Sequence, residues 1–421
     1  MSNHTYIITK MQDKIFSFLQ NDKKAIEIHC DPEESGSALG NIYIGRIQNI
    51  AKNINAAFVE IAPGQNCYLP LEDMKNPIYT KKGTSKLPQQ GDELLVQISR
   101  EGIKTKLPSV TTNLTLHGKY VLLTTGNTQI SVSSKLPKEV REKLIQFAYS
   151  QEKQIMSAEV LSTNLDIPVQ TSRNISDASP TRPFGWLLRT NAGTAEETLL
   201  IKDMQRLYMQ YQTLMQQAKF RTCFSCMLRT PQAYLKRLSD LYDSSVDRIL
   251  TDDEELYKEI KEYLDQYQAE DSAKLTWYQD ELLPLKKLYS LEHQLSEALS
   301  ERVWLNCGGY LIIQPTEALT VIDVNSGKAD GGKKKEAAIL KVNKEAAVEI
   351  ARQIRLRNMS GIIIVDFINM EQPESRHALL ELLDIELRKD PVRTVLVDMT
   401  KLSLVEITRM KRERPLAETV R

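Results

Sequence analysis

No apolar run in this 421-residue sequence approaches the length needed to span a bilayer, so neither a membrane anchor nor a membrane partner is expected. The opening Met1-Ser-Asn-His-Thr-Tyr-Ile-Ile-Thr-Lys10 lacks a charged segment followed by an apolar stretch and a small-residue cleavage site. A secretory signal is therefore not expected, and a cytoplasmic location is. Cysteine is sparse and odd in number, with Cys30, Cys67, Cys223, Cys226 and Cys307 at irregular spacing, which excludes a disulfide framework and favours reduced thiols. Excess charge is also absent: Lys plus Arg and Asp plus Glu both total 55. Any polyanionic partner would have to be met by local charge, with candidates at Lys333–Lys335, Arg352–Arg357 and Lys401–Arg414. Internal repeats, low-complexity tracts and long Gly/Ser linkers are missing as well.

What remains is an ordinary globular composition, 41% hydrophobic and 26% charged, in a chain too long for one core. Two to four domains are expected. Tyr6-Ile-Ile-Thr, Ile15-Phe-Ser-Phe-Leu and Ala25-Ile-Glu-Ile alternate apolar and polar residues, with polar Asn21-Asp22 between the second and third, and predict a small antiparallel meander. From about residue 36, short strands with Gly and Pro punctuation follow: Asn41-Ile-Tyr-Ile-Gly-Arg-Ile, Asn55-Ala-Ala-Phe-Val-Glu-Ile, Cys67-Tyr-Leu-Pro and Glu93-Leu-Leu-Val-Gln-Ile. Five or so such strands predict a small barrel of the oligonucleotide-binding kind. Mixed strands, including Gly185-Trp-Leu-Leu-Arg-Thr, lead to a long helix from a Thr194 cap to about Lys219, and Asp247-Arg-Ile-Leu reads as a short strand among helices.

The chemistry is carried by two aspartates. Asp323 and Asp366 each close a strand-like run, Ala318-Leu-Thr-Val-Ile322 and Gly361-Ile-Ile-Ile-Val365. Between them Ala337–Arg357 carries Ile339, Val342, Ala346, Ile350 and Ile354 at a helical period, a crossover helix preceded by the flexible Gly331-Gly332. A strand-helix-strand unit runs its strands parallel and brings their carboxyl ends to one edge of the sheet. Two carboxylates there suit a magnesium or manganese ion, and Asn325 can add a neutral oxygen or a hydrogen bond. Spacing alone leaves open the plainer reading that each aspartate merely ends a strand. Asp398, after Thr394-Val-Leu-Val, has the same position with nothing site-like around it.

The local sequences are more specific. Gly308-Gly-Tyr-Leu-Ile-Ile, Thr316-Glu-Ala-Leu-Thr-Val-Ile-Asp-Val-Asn-Ser-Gly, Asn343-Lys-Glu-Ala-Ala-Val-Glu-Ile-Ala-Arg-Gln-Ile-Arg-Leu-Arg and Gly361-Ile-Ile-Ile-Val-Asp-Phe-Ile-Asn-Met closely resemble the catalytic region of the ribonuclease E/G family. The resemblance implies a magnesium-dependent endoribonuclease cutting single-stranded RNA, in ribosomal and transfer RNA processing or in messenger decay. It implies Asp323 and Asp366 as metal ligands and catalytic residues, assisted by Asn325. The implied architecture is α+β and multidomain. An RNase H-like domain (1–35 and 225–297) would carry an inserted S1-type OB barrel (36–112) and a 5′-sensor region with a long helix (113–224), followed by a DNase I-like α/β catalytic domain (298–421).

Further residues follow from the same resemblance. Phe58, Tyr68 and Lys106 match positions that hold RNA on the S1 face, a kit of stacking rings and a cation suited to single strands. Read without the family, Phe58 in an alternating strand is more often a core residue. Arg189 and Thr190 match the pair that grips a 5′-monophosphate. Leu107 stands where the family usually has glycine, and Ser133-Ser134-Lys135 where relatives often carry consecutive basic residues after a serine. Lys401–Pro415 resembles the family's last conserved stretch, after which many members carry a Cys-x-x-Cys pair sharing zinc between subunits. The only such spacing here, Cys223-Phe-Ser-Cys226, lies elsewhere, so zinc is not expected and a homo-oligomer would form without that link. The alternative reading is a noncatalytic S1-type RNA-binding protein.

Overall fold

The computed structural model describes residues 4–32, 38–85, 87–100, 102, 107–162, 182–241, 246–326 and 335–421. The chain divides into two compact units, Met1–Glu34 with Ser245–Arg421, and Ser35–Ser244. No helix among the described residues is long and apolar enough to cross a membrane.

The first unit begins with the expected meander, His4–Met11, Lys14–Asn21 and Lys24–Pro32, paired antiparallel. Both connections are two-residue turns whose central residues, Gln12-Asp13 and Asp22-Lys23, all have positive φ. Two consecutive left-handed residues match the twist of the flanking strands, which makes these tight hairpins. Three strands cannot bury Phe16, Phe18 and Ile28 by themselves. Val246–Thr251 completes the sheet by pairing parallel to His4–Met11, and Leu275–Trp277 pairs parallel to it in turn. Leu250, Leu285 and Leu291 close the core against the two phenylalanines.

A second sheet of this unit has six strands in the order Arg302–Trp304, Tyr310–Pro315, Leu319–Asn325, Gly361–Asp366, Leu404–Arg409, Thr394–Met399. Its two central strands, Leu319–Asn325 and Gly361–Asp366, are parallel, joined through the crossover helix Lys335–Leu356. Alternation along the strands sends Leu311, Ile313, Ile322, Val324, Ile363, Val365, Val405 and Ile407 to one face. There they pack on Val342, Ala346, Ile350 and Ile354 of the crossover helix and on Leu379, Leu383 and Leu387 of the helix Pro373–Leu387. The opposite face carries no helix from this set.

The second unit contains a closed, OB-like five-stranded barrel. Ile42–Ala51, Ala56–Ala62, Gln65–Pro70, Ser109–Thr111 and Glu93–Arg100 follow one another around it, and the first pairs with the last to shut it. Ile47, Val59, Leu69, Leu94, Val96 and Val110 fill the interior. Gly45 is required by this closure, because a Cβ there would lie 2.5 Å from Val59 Cγ1. Cys226–Leu228, which lies beyond the long helix, pairs with Ile42–Ala51 and so extends the barrel.

A small four-stranded sheet, with Gly185–Leu188 inside it, packs Trp186 against Met204 and Leu207 of the helix Glu197–Ala218. That helix starts later than a Thr194 cap would set it. Residues Thr190–Gly193 wind into a 3-10 turn that ends on Thr194, so Glu196 takes the N-cap position.

Candidate active site and nucleic-acid interface

Asp323 and Asp366 are register partners on the two central parallel strands. Neighbouring strands lie about 4.8 Å apart, and residues paired directly across a ladder project to the same face, here the one away from the helices. Both aspartates are exposed. The Asn325 Nδ2 amide donates to Asp323 Oδ2 at 2.7 Å, which fixes the carboxylate and leaves the amide oxygen of Asn325 as a further acceptor. Two carboxylates held this close repel, and a cation between them relieves the repulsion.

The donor set, carboxylate and amide oxygens, fits a hard divalent ion. Among the described residues no group of three or more His, Cys, Asp or Glu side chains is placed to hold a metal. An ion held by few protein oxygens keeps several waters and accepts phosphate oxygens, which is the habit of magnesium.

Asp398 ends a strand on the same edge, but Leu404–Arg409 lies between its strand and that of Asp366. Its carboxylate caps the neighbouring Met399 N–H at 2.7 Å. Sequence position alone could not show this, because the intervening strand comes later in the chain.

Asn343 is a site-supporting residue that periodicity does not reveal. It is fully buried on the crossover helix; its Nδ2 donates to the Ile368 carbonyl at 2.8 Å and its Oδ1 accepts from the Ile368 N–H at 3.1 Å. The segment just after Asp366 is thereby pinned to the helix. An amide buried within an apolar stripe is the only sequence signal of this role.

The Arg352–Arg357 stretch is engaged internally, and so is one arginine of the Lys401–Arg414 tail, whose Lys401, Lys411, Arg412 and Arg414 are exposed. Arg352 bonds both oxygens of Glu349 and the Ala25 carbonyl, Arg355 Nε donates to Glu27 at 2.5 Å, and Arg357 Nε donates to Gln353 at 2.6 Å. Burial and the neighbouring Arg352 charge bring Arg357 down to about 10. Burial opposes ionisation of Glu27, but Arg355 and His29 outweigh it and hold the carboxyl at about 2. In the tail, Arg409 is 5% exposed and pairs with Asp390 at 2.7 Å. A run of charge in the sequence does not show that its partners come from distant strands. Lys333 and Lys334 lie outside the described residues, as does the side chain of Lys335.

On the barrel, Phe58 and Tyr68 are directly opposite each other on adjacent strands. Ala57, Val59, Cys67 and Leu69 alternate with them and are buried, so the two rings take the outer face and are half-buried there. Their centroids are 6.4 Å apart in an edge-on arrangement. The core alternative for Phe58 does not hold. Lys106 lies outside the described residues, while Leu107 is 45% exposed.

Arg189 and Thr190 follow the strand Gly185–Leu188. Arg189 Nη1 donates to the carbonyls of Gly118 at 3.0 Å and Ser239 at 3.2 Å, and the Thr190 hydroxyl meets that of Ser133 at 2.9 Å. Ser133, from the segment singled out in the sequence, thus touches one of the two residues. Cys223 and Cys226 are turned onto backbone carbonyls of Ile44 and Leu228.

A closed barrel with outward rings and a sheet edge with level carboxylates are the equipment of a protein that acts on nucleic acid. The model of the ribonuclease E/G family matches residues 168–412, which include Arg189, Thr190, Asp323, Asn325 and Asp366. Ribonuclease E of Nostoc sp. (strain PCC 7120) is 32% identical over 388 residues, 90% of this chain and 52% of that protein. Ribonuclease G of Salmonella typhimurium is 31% identical over 405 residues, 94% of this chain and 77% of the relative. Ribonuclease G of Escherichia coli (strain K12) is 32% identical over 406 residues with the same coverages. The chain thus spans about half the length of the Nostoc relative and about three quarters of the other two. It belongs to the ribonuclease E/G family.

Proposed function

We propose that this chain is an endoribonuclease that cuts single-stranded RNA with the help of magnesium or manganese bound at Asp323 and Asp366. The observation that carries this is the register pairing of the two exposed carboxylates on neighbouring parallel strands, with the Asn325 amide on one of them. The names of the relatives favour hydrolysis over a noncatalytic RNA-binding role.

A bound ion would supply Lewis-acid polarisation of the phosphodiester and orientation of the attacking water. The chain's own residues do the rest. Asp323 and Asp366 would hold the ion through their carboxylates. Asn325 keeps Asp323 in one rotamer, and Asn343 keeps the segment after Asp366 in place. Phe58 and Tyr68 offer ring faces to unpaired bases. Arg189 and Thr190 would receive a 5′-monophosphate, the Thr190–Ser133 hydroxyl pair supplying its donors, and the products would carry a 5′-phosphate and a 3′-hydroxyl. In this reading the five-stranded sheet is the RNase H-like part, the barrel the S1-type part and the six-stranded sheet the DNase I-like part, in a protein of the cytoplasm.

The test is cleavage of a 5′-monophosphorylated, A/U-rich single strand in magnesium by wild type, Asp323→Asn and Asp366→Asn. Each substitution is expected to reduce the rate at least about 100-fold, on the scale of a lost transition-state contact, while RNA binding persists. Equal cleavage by all three would remove the metal assignment, and wild type that binds without cutting would favour the binding-module reading.

A further inference from the structure

The open face of the six-stranded sheet carries more than the carboxylates. Two cross-strand rows run from the site to the sheet edge. In one, Asp366, Asp323, Ile312 and Arg302 are successive register partners; in the other, Asn325, Tyr310 and Trp304 are. The residues between these rows, Val303, Leu311 and Val324, pack into the core, so both rows face away from the helices. Arg302, Tyr310 and Trp304 therefore share a surface with Asp323, and two strand spacings, about 10 Å, separate Trp304 from Asn325.

These three side chains form one cluster. The Trp304 and Tyr310 rings lie 5.3 Å apart between centroids, and the Arg302 guanidinium stands over both, 4.7 Å from the Tyr310 centroid and 5.7 Å from that of Trp304. Despite these contacts Trp304 is 65% exposed. An indole so open to water on a three-residue edge strand contributes little to the fold. A ring available for stacking with a cation above it is how proteins hold an unpaired base and its phosphate.

We propose that Trp304, Tyr310 and Arg302 form a nucleotide subsite flanking the bond that is cut. Trp304 stacks on the base next to the scissile phosphate, Tyr310 backs the stack, and Arg302 meets the adjoining phosphate. This deepens the reading of Asp323 and Asp366 as the cleavage site and rests on it. An RNA occupant is favoured over a protein surface because the patch is continuous, row by row, with the carboxylate pair and contributes a cation where those carboxylates leave a substrate's phosphates unmatched. The subsite would be sequence-tolerant, since every base offers a stacking face.

The experiment walks a single abasic residue through a 5′-monophosphorylated single-stranded RNA of defined cleavage position and measures kcat and KM for wild type, Trp304→Ala and Trp304→Phe. Wild type is expected to lose about tenfold in kcat/KM, through KM, when the abasic position adjoins the cut bond, matching the loss of one stacked base. Trp304→Ala is expected to lose the same factor on intact RNA and to be indifferent to the abasic residue there; Trp304→Phe should recover most of the loss. An unchanged circular dichroism spectrum and melting midpoint keep folding out of the comparison. Wild type that cuts, with Trp304→Ala equal to it or still penalised by the abasic residue, overturns the subsite alone. Wild type that leaves the RNA intact overturns the cleavage reading and the subsite with it. A fall in solution mass for Trp304→Ala, with the abasic profile unchanged, would make the patch a contact between copies and also overturn the proposal.

Discussion

Asn343 shows how one side chain can matter to chemistry that it does not touch. Its amide satisfies both backbone groups of Ile368 inside a face otherwise built from Val342, Ala346, Ala347 and Ile350. Asn343→Leu would keep the volume and strand a buried N–H and C=O, each costing about 1–3 kcal/mol when unpaired. A melting midpoint lower by several degrees is expected, together with a loss of cleavage at temperatures where the variant is still folded, because the segment after Asp366 is released. Calorimetry and rate measurements on one preparation check this; unchanged cleavage alongside a lower midpoint would limit Asn343 to stability. The emergence of Asp323 and Asp366 side by side at their strand ends was legible in the sequence because a strand-helix-strand unit dictates it, while the role given to them and to Asn325 came from the resemblance. Trp304 was not, because a lone aromatic in a three-residue strand has no period to betray its face. Arg352 and Arg355 suggested a basic patch for the complementary reason: their partners, Ala25 and Glu27, come from more than 300 residues away in the chain.

At the scale of elements, the crossover helix does two jobs. Its apolar stripe was readable from a 3.6-residue period and packs on the sheet as expected, whereas its charged flank is a latch onto the strand Lys24–Pro32. Glu349 ties to Arg352 and Lys24, and Arg355 to Glu27. Since the folded state holds Glu27 at about 2, below its usual 4.5, the unfolded chain binds the proton more readily. The stability from this group is thus fully present above about pH 4.5 and is lost as pH falls toward 2. Glu349 is also lowered despite its burial, by its hydrogen bonds and charge contact with Arg352, and adds to the loss in the same direction. Denaturant unfolding at stepped pH is expected to show a decline of roughly 2–3 kcal/mol from Glu27 over that window, and Glu27→Gln should be less stable at pH 7 yet flatter below pH 4.5. A wild-type profile that is level from pH 5 to 2.5 would contradict the latch. The 3-10 turn that displaces the Thr194 cap was beyond sequence reading for a similar reason, because its four residues have no hydrophobic rhythm.

For the whole molecule, local pattern does not show that the first sheet is built from two distant pieces. Alternation gives a meander and the family resemblance an inserted segment, and the pairing of His4–Met11 with Val246–Thr251 sets residues 35–244 between strands of one sheet. The geometry of that sheet sets what could replace the insertion. Pro32 is level with Lys14 and hence with Met11, while Val246 is level with His4 at the other end of the same strand. Seven residue rises along the sheet and three strand spacings across it put the two ends about 28 Å apart. A Gly/Ser chain has that root-mean-square span at about 25 residues. Replacing 35–244 by such a linker is expected to leave a protein that unfolds in one cooperative transition and keeps the metal binding proposed for Asp323 and Asp366, readable by calorimetric titration with manganese. Single-stranded RNA affinity should drop by at least tenfold as Phe58 and Tyr68 are removed, about one stacked base or more. A ten-residue linker, too short to span comfortably by the same relation, should lower the midpoint of the transition. A broad, noncooperative melt with the long linker would mean that the insertion contributes to the core it interrupts, and that the two units are not separable in the way their internal packing indicates.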